Sequence, residues 1–292
     1  MWAIYKKEIG SFYRSMMGYL YTAFFLLIAG VFFTAFNLQG GVAEFGYVLG
    51  NTMMVLLVVI PVLTMRTLGG GQRQKADQLL FTAPVKISSI VLGKFFAVLT
   101  VFAIPLLVLT LCPLVLSRYG TIPLAQSYSS FLAFLFMGAA CISIGIFVSS
   151  LTENQIAAAV VTFALLLLSY LINGIGGIIK GNVIGSAISP YIGWLSLFQR
   201  YYDFVDGLFD VGHLVYYAGV AVLFLFFTVQ SVEKRFRKNS VYTAVMCVLV
   251  AVIVVLANAI AGKVHTQYTR FDNSASRIYS VSEKTKNMGS GL

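Results

Sequence analysis

The chain of 292 residues is 59% apolar and only 10% charged, with a formal net charge of +10. Soluble domains carry about a quarter charged residues, so this composition excludes a water-soluble fold and requires that most of the chain lie in lipid. The positive balance alone would suit nucleic acid, but the cations sit in short segments between apolar runs, the pattern that orients membrane spans, and no nucleic-acid partner is expected.

At the start of the chain Trp2, Tyr5, Ile9, Phe12 and Met16 recur at intervals of three and four, with Lys7, Glu8, Ser11 and Arg14 between them. This spacing predicts an amphipathic helix over residues 1–16, with basic and aromatic residues suited to the membrane interface. Apolar runs of the roughly 20 residues needed to cross ~30 Å of hydrocarbon follow at Met17–Phe36, Gly46–Met65, Ile90–Leu116, Tyr128–Ser149, Ile156–Ile179, Leu214–Val232 and Tyr242–Ala261. The predicted fold is therefore all-α and polytopic. An interfacial helix precedes a six-span domain over 17–240, a seventh span over 241–262 and a polar tail over 263–292 with too few residues to bury a core, expected to be mobile.

Orientation follows from where the cations fall. With the N-terminus inside, the inner segments hold Lys6, Lys7, Arg14, Arg66, Arg73, Lys75, Lys86, Lys94, Lys234, Arg235, Arg237 and Lys238, against Arg118, Lys180 and Arg200 outside. The outer loops add Glu44, Asp203, Asp206 and Asp210, so the inner face is the one able to meet anionic lipid or a partner. The C-terminal tail then lies outside. No secretory leader is read at the start, because the first apolar run is too long and no cleavage site follows it. Cys112, Cys141 and Cys247 all fall within spans and have neither disulfide nor metal-ligand spacing.

Two inner loops stand out. In the first, Gln72 to Phe81 has the length of about three helical turns, ends in apolar Leu79, Leu80 and Phe81, and is stopped by Pro84, which biases Ala83 away from helix. The second is short, Ser149 to Gln155, and Ser150 with Glu153 fits a capping box opening the next helix. Gly138, Ala139, Ala140, Ser143 and Gly145 put small side chains along the fourth span, expected to seat neighbouring helices of the same chain in preference to a second copy. Gly174, Gly177, Gly181 and Gly185 continue this pattern. From Gly181 to Asp210 aromatic residues mix with aspartates, a pattern for half-inserted segments anchored at the outer interface.

Reactive groups are scarce. The spans contain no His-Glu-x-x-His, no paired carboxylates and no acidic relay, and His213 and His265 near span ends read as surface residues. No phosphate-binding Gly-x-x-x-x-Gly-Lys-Ser/Thr occurs, and Gly69-Gly70-Gly71 lacks the following lysine. Pro61 and Pro105 interrupt spans, which lipid-embedded helices tolerate. The chain is not expected to be an enzyme, and no metal or cofactor is assigned to it.

The run Asp77-Gln78-Leu79-Leu80-Phe81-Thr82-Ala83-Pro84-Val85, followed by Ile90-Val91-Leu92-Gly93-Lys94, resembles the first cytoplasmic loop of type-2 ABC exporter permeases. Ser149-Ser150-Leu151-Thr152 and then Asn154-Gln155 is similar to that family's turn between the fourth and fifth spans. By order of features the resemblance covers about residues 1–238. It implies a multi-pass subunit of a bacterial cytoplasmic membrane exporter whose ATP and Mg are held by a separate cytoplasmic ATPase, and which pairs with a second permease copy or a relative. On the same resemblance Gln72, Asp77, Gln78, Leu79, Leu80, Phe81 and Pro84 form the ATPase-coupling segment. Ser150, Thr152, Glu153, Asn154 and Gln155 form a second cytoplasmic contact, and Trp2, Tyr5, Ile9 and Phe12 an interfacial elbow. Gly71 stands where family members often place a glutamate. The tail from Arg270 to Thr285 resembles the opening of the extracytoplasmic auxiliary subunit found with gliding-motility-type permeases, so such a subunit is a further candidate partner. The competing reading is a membrane anchor or scaffold for an extracytoplasmic complex that moves no substrate.

Overall fold

A computed structural model describes residues 1–68, 86–179, 196–234, 240–263 and 270–272. The predicted coupling helix, with Gln72, Asp77, Gln78, Leu79, Leu80, Phe81 and Pro84, lies outside the described residues, as does His265.

Helix α1 (Trp2–Arg14) ends in a sharp turn at Met16, a residue in the left-handed region with φ 57°, and α2 (Met17–Phe33) leaves from there and runs into a π-helical turn over Thr34–Gln39. Next come α3 (Gly46–Thr64), α4 (Ile87–Leu109) with the short α5 (Leu111–Leu116), α6 (Leu124–Leu151) and α7 (Gln155–Ile179). The two-turn α8 (Gln199–Val205) and strand β1 (Leu208–Asp210) lead to α9 (Val211–Lys234), then α10 (Ser240–Lys263) and strand β2 (Arg270–Asp272). Among the described residues six segments are long and apolar enough to cross a membrane: Met17–Gln39, Gly46–Thr64, Ile87–Leu116, Leu124–Leu151, Gln155–Ile172 and Val211–Lys234. These are the first six predicted spans within a few residues, and α10 stands in the place of the seventh, apolar over Val245–Asn258.

Helix α6 is the axis of the bundle. It packs on α3, α4, α7, α8 and α9, and 72% of its apolar window is buried, against 17% for the windows of α2 and α7. Lipid is as apolar as leucine, so what selects the central helix is close approach rather than hydrophobicity. A Cβ at Gly138 would lie 2.2 Å from the Phe102 ring, and one at Gly145 would lie 2.3 Å from Thr64 Oγ1, so both glycines let α6 sit directly against α4 and α3. These two small residues of the fourth span thus serve packing within the chain. Around them Phe25, Phe102, Phe134 and Tyr201 form a relay of rings with centroids 6.4, 6.1 and 5.7 Å apart, joining α2, α4, α6 and α8. Such ring pairs are each worth about 0.5–1.5 kcal/mol beyond burial.

Three expectations need correction. The cap of α7 is Asn154 and not Ser150: Ser150 remains inside α6, its hydroxyl donating to Phe147 O at 2.6 Å, and Asn154 Oδ1 accepts the Ile156 N–H at 3.0 Å. Asn154 sits two residues before that donor, the usual N-cap relation. Among the described aromatic residues of the outer segment, Phe198, Tyr201 and Phe204 are fully buried against the bundle and not anchored at the interface, and Tyr202 is exposed. His213 is mostly buried, with Nδ1 3.3 Å from Asp203 Oδ2 and its ring edge-on to Phe204.

One feature is additional to the all-α expectation. Strands β1 and β2 pair antiparallel, Leu208 with Asp272, Phe209 with Phe271 and Asp210 with Arg270. The first described residues of the tail are therefore tied by backbone to the segment joining α8 and α9, and its remainder lies outside the described residues.

Candidate functional site

The end of the bundle where α3 ends, α4 begins and α6 turns into α7 is built around Lys94. This residue lies on α4 seven positions after its first residue, Ile87, about two turns in. Its side chain is 4% exposed. Its Nζ donates to the Thr67 carbonyl, in the last described turn before residues 69–85, and lies 3.4 Å from Glu8 Oε1 of α1, itself 17% exposed. Thr67 is buried in its own right, with both its amide and its hydroxyl donating to Thr64 O. One cation thus joins α1, the end of α3 and the start of α4. Taking a lysine and a glutamate out of water costs several kcal/mol per ion, which only mutual pairing and further hydrogen bonds offset.

The neighbouring contacts tighten the same junction. On α6, Ser149 Oγ accepts the Leu68 N–H at 3.2 Å and donates to Met65 O at 3.4 Å. Helix α6 therefore holds the chain on which residues 69–85 begin, one turn beyond the Gly145–Thr64 contact. Three residues later it gives way to the turn Thr152–Asn154. Of the predicted second contact, Glu153 and Asn154 are exposed, Thr152 and Gln155 are half-buried, and Ser150 is buried.

Helix α1 lies against α4. A Cβ at Gly93 would lie 3.2 Å from Ile4 Cγ2 and 3.3 Å from the Met1 carbonyl, and the Tyr5 hydroxyl is 3.0 Å from Thr100 Oγ1. The face that α1 turns to the bundle carries Ile4, Glu8 and Phe12, which differs from the expected stripe. Phe12 is buried, Tyr5 and Ile9 are half-buried, and Trp2 and Met16 are 73% and 76% exposed. Glu8, expected on the solvent side, points inward because Lys94 waits there.

The opposite end is closed mostly by contacts between neutral groups. The last carbonyls of α8 have no partner in their own helix and are met from α6: Gln126 Nε2 donates to Val205 O at 2.6 Å, and Ser130 Oγ lies 3.0 Å from Phe204 O. Tyr217 of α9 donates to Leu197 O at 2.8 Å, and the Arg200 guanidinium stacks 3.9 Å above the Tyr216 ring. Asp210 caps α9 by accepting the Gly212 N–H at 2.8 Å. Burial raises the phenol pKa of Tyr201 well above its ordinary value, so that its hydroxyl stays neutral.

A family model described as ABC-2 family transporter protein matches residues 14–261, most of the chain. The chain belongs to this family. No curated protein and no solved structure matches it at a significant level. As an ABC-2 family member it is a multi-pass membrane subunit of an ABC transporter, a transport subunit and not itself a catalytic enzyme, and membership implies pairing with an ABC ATPase. The match runs through α10, so the seventh apolar helix belongs to the matched region.

Among the described residues no group of His, Cys, Asp and Glu is arranged to hold a metal ion. The residues that sequence reasoning missed in this ABC-2 subunit are Lys94 and Glu8. Lys94 was counted among the inner-segment charges and placed in the run Ile90 to Lys94 without a partner, and no charges were expected to gather at depth. A lysine seven residues into an apolar helix, together with the single acid of an otherwise basic N-terminal helix, was the available signal.

Proposed function

We propose that this ABC-2 subunit is the membrane half of an exporter in the bacterial cytoplasmic membrane, with its N-terminus cytoplasmic and its tail outside. In this reading it pairs with a second copy or a related permease, and the segment between α3 and α4 receives the motion of a cytoplasmic ATPase. Gln72, Asp77, Gln78, Leu79, Leu80, Phe81 and Pro84 form the receiving surface, and Thr152 to Gln155 a second contact. ATP and Mg act on the partner. The resemblance of the tail to an auxiliary-subunit opening supports the gliding-motility-type subclass and an extracytoplasmic partner.

The observation that carries the coupling role is the junction at Lys94. The chain enters residues 69–85 from Thr67 and Leu68 and leaves them into α4, and both sides are tied to each other, to α1 through Glu8 and to α6 through Ser149. A displacement of the intervening segment is thereby passed to four helices at once. Coupling of this kind works only if the ATPase binds one arrangement of those helices more tightly than the other, since equal affinity for both shifts nothing.

The test is the double substitution Leu80→Ser and Phe81→Ser. Burying a leucine or phenylalanine side chain is worth roughly 1.5–3 kcal/mol, so the pair should weaken ATPase association by about 10-fold or more while the spans still insert. ATP turnover of the reconstituted complex should fall with it. Unchanged affinity together with lowered thermal stability would place those side chains beneath the chain's own spans and remove the coupling role. Normal biological output with an ATPase-dead partner would favour the scaffold reading.

A further inference from the structure

Helix α1 divides its surface three ways. Ile4, Glu8 and Phe12 face the bundle, Trp2 and, in the turn that follows the helix, Met16 are exposed apolar residues, and Lys6, Lys7 and Arg14 share the remaining exposed side, with Arg14 two turns beyond Lys7. A Cβ at Gly10, between these cations, would meet nothing within 4 Å, so this side stands clear of the bundle. Among the described residues none of the three cations is ion-paired. The only acid of the helix, Glu8, is turned away from them and bound to Lys94. The outward surface of α1 is therefore uniformly cationic and borders directly on exposed apolar side chains.

We propose that this stripe binds the phosphates of anionic phospholipids, so that α1 is seated by lipid headgroups on one side and by Lys94 on the other. The chemistry is that of an interfacial helix: Trp2 and Met16 enter the acyl boundary, and Lys6, Lys7 and Arg14 lie at headgroup depth. Each lysine or arginine close to an anionic surface strengthens the attraction by about fivefold. Internal neutralisation of Glu8 removes the one group on the helix that would repel the phosphates. The inference rests on the chain lying in a bilayer as an ABC-2 subunit and not on the coupling role of residues 69–85, since its test involves no ATPase.

Trp2 provides the readout, because Trp194 is the only other tryptophan. The full chain carrying Trp194→Phe is reconstituted in vesicles of phosphatidylcholine containing a fixed fraction of brominated-chain lipid, either phosphatidylglycerol or phosphatidylcholine. Stronger quenching of Trp2 by the anionic lipid is expected, with an association preference of about threefold or more, weakened by high salt and reduced to about one in K6Q/K7Q/R14Q. Equal quenching by the two lipids in the otherwise unaltered chain overturns the proposal, and so does a preference that survives the triple substitution. Should that variant fail to fold, the salt dependence of the W194F chain decides, and a salt-independent preference counts against headgroup binding.

Discussion

The two ends of the bundle are held by different physics. At the basic end a lysine, a glutamate, a backbone carbonyl and a serine fasten the chain flanking residues 69–85 to α1 and α6. At the opposite end buried aromatic rings of α8 and neutral side chains of α6 close the structure, and among its charged groups Arg200 lies on a ring while Asp203 meets His213. An ion pair in a half-buried site concentrates much of its energy in one contact that is lost whole when a partner leaves. A packed aromatic seam spreads its energy over many contacts and gives way gradually. The first arrangement suits a junction that must change state, the second a wall that must stay shut.

The largest effect should come from Lys94→Met. It strands Glu8 beside apolar helices and frees the Thr67 carbonyl, and breaking a buried pair by removing one member costs about 3–5 kcal/mol. Thermal unfolding of the purified subunit in detergent reads that loss. Combining it with Glu8→Met should restore most of the stability by replacing charge with packing. The double variant should nevertheless fail to couple ATP turnover to the membrane subunit, because the three-way tie is still gone. If the single variant is as stable as the parent, the pair is not the fastening that distinguishes this end.

Much of this contrast was hidden from sequence for a physical reason. Span existence is legible because length and apolarity are what a bilayer demands, and the first six segments fall within a few residues of their expected bounds. Which face of a helix meets protein is not legible in the same way, because lipid and protein interior are equally apolar. The stripe Trp2, Tyr5, Ile9, Phe12 and Met16 was a sound apolar pattern, yet its ends face outward and the bundle takes Ile4, Glu8 and Phe12. Glycines fare better: Gly138 and Gly145 are informative because a missing Cβ has meaning only where another helix comes close. Ser150 and Glu153 mimicked a cap, and only the backbone position of α7 reveals that Asn154 fills that role.

The next effect probes the wall. A Cβ at Gly46, at the start of α3, would lie 3.0 Å from Ser130 Oγ and 3.2 Å from the Val205 Cα, and a backbone atom cannot rotate aside. Gly46→Val should therefore push α8 away from α3 and α6 at a cost of about 1–3 kcal/mol, the usual range for overpacking. Because the cause is steric, the loss should be the same at low and high salt, whereas that of Lys94→Met should vary with salt in so far as Glu8 remains partly exposed. Measuring both variants across a salt series sharpens the comparison, and parallel salt responses would break it.

The smallest effect is expected at Gln126→Leu. The substitution removes the donor to Val205 O and leaves Ser130, on Phe204 O, as the remaining side-chain contact to the last carbonyls of α8. Interhelical hydrogen bonds in membrane proteins average about 0.6 kcal/mol, with a maximum near 1.7 kcal/mol, well below the cost of stranding a charge. Thermal stability should therefore fall only slightly. The backbone amides of α8, which include that of Tyr201, should exchange with solvent severalfold faster, because opening of this segment no longer has to break the Gln126 contact. Hydrogen exchange resolved to peptides covering residues 199–207 separates this local loosening from global unfolding. If α8 exchanges no faster while the whole bundle loses several kcal/mol, Gln126 is as central to stability as Lys94, and the proposed difference between a charged junction and a neutral wall fails.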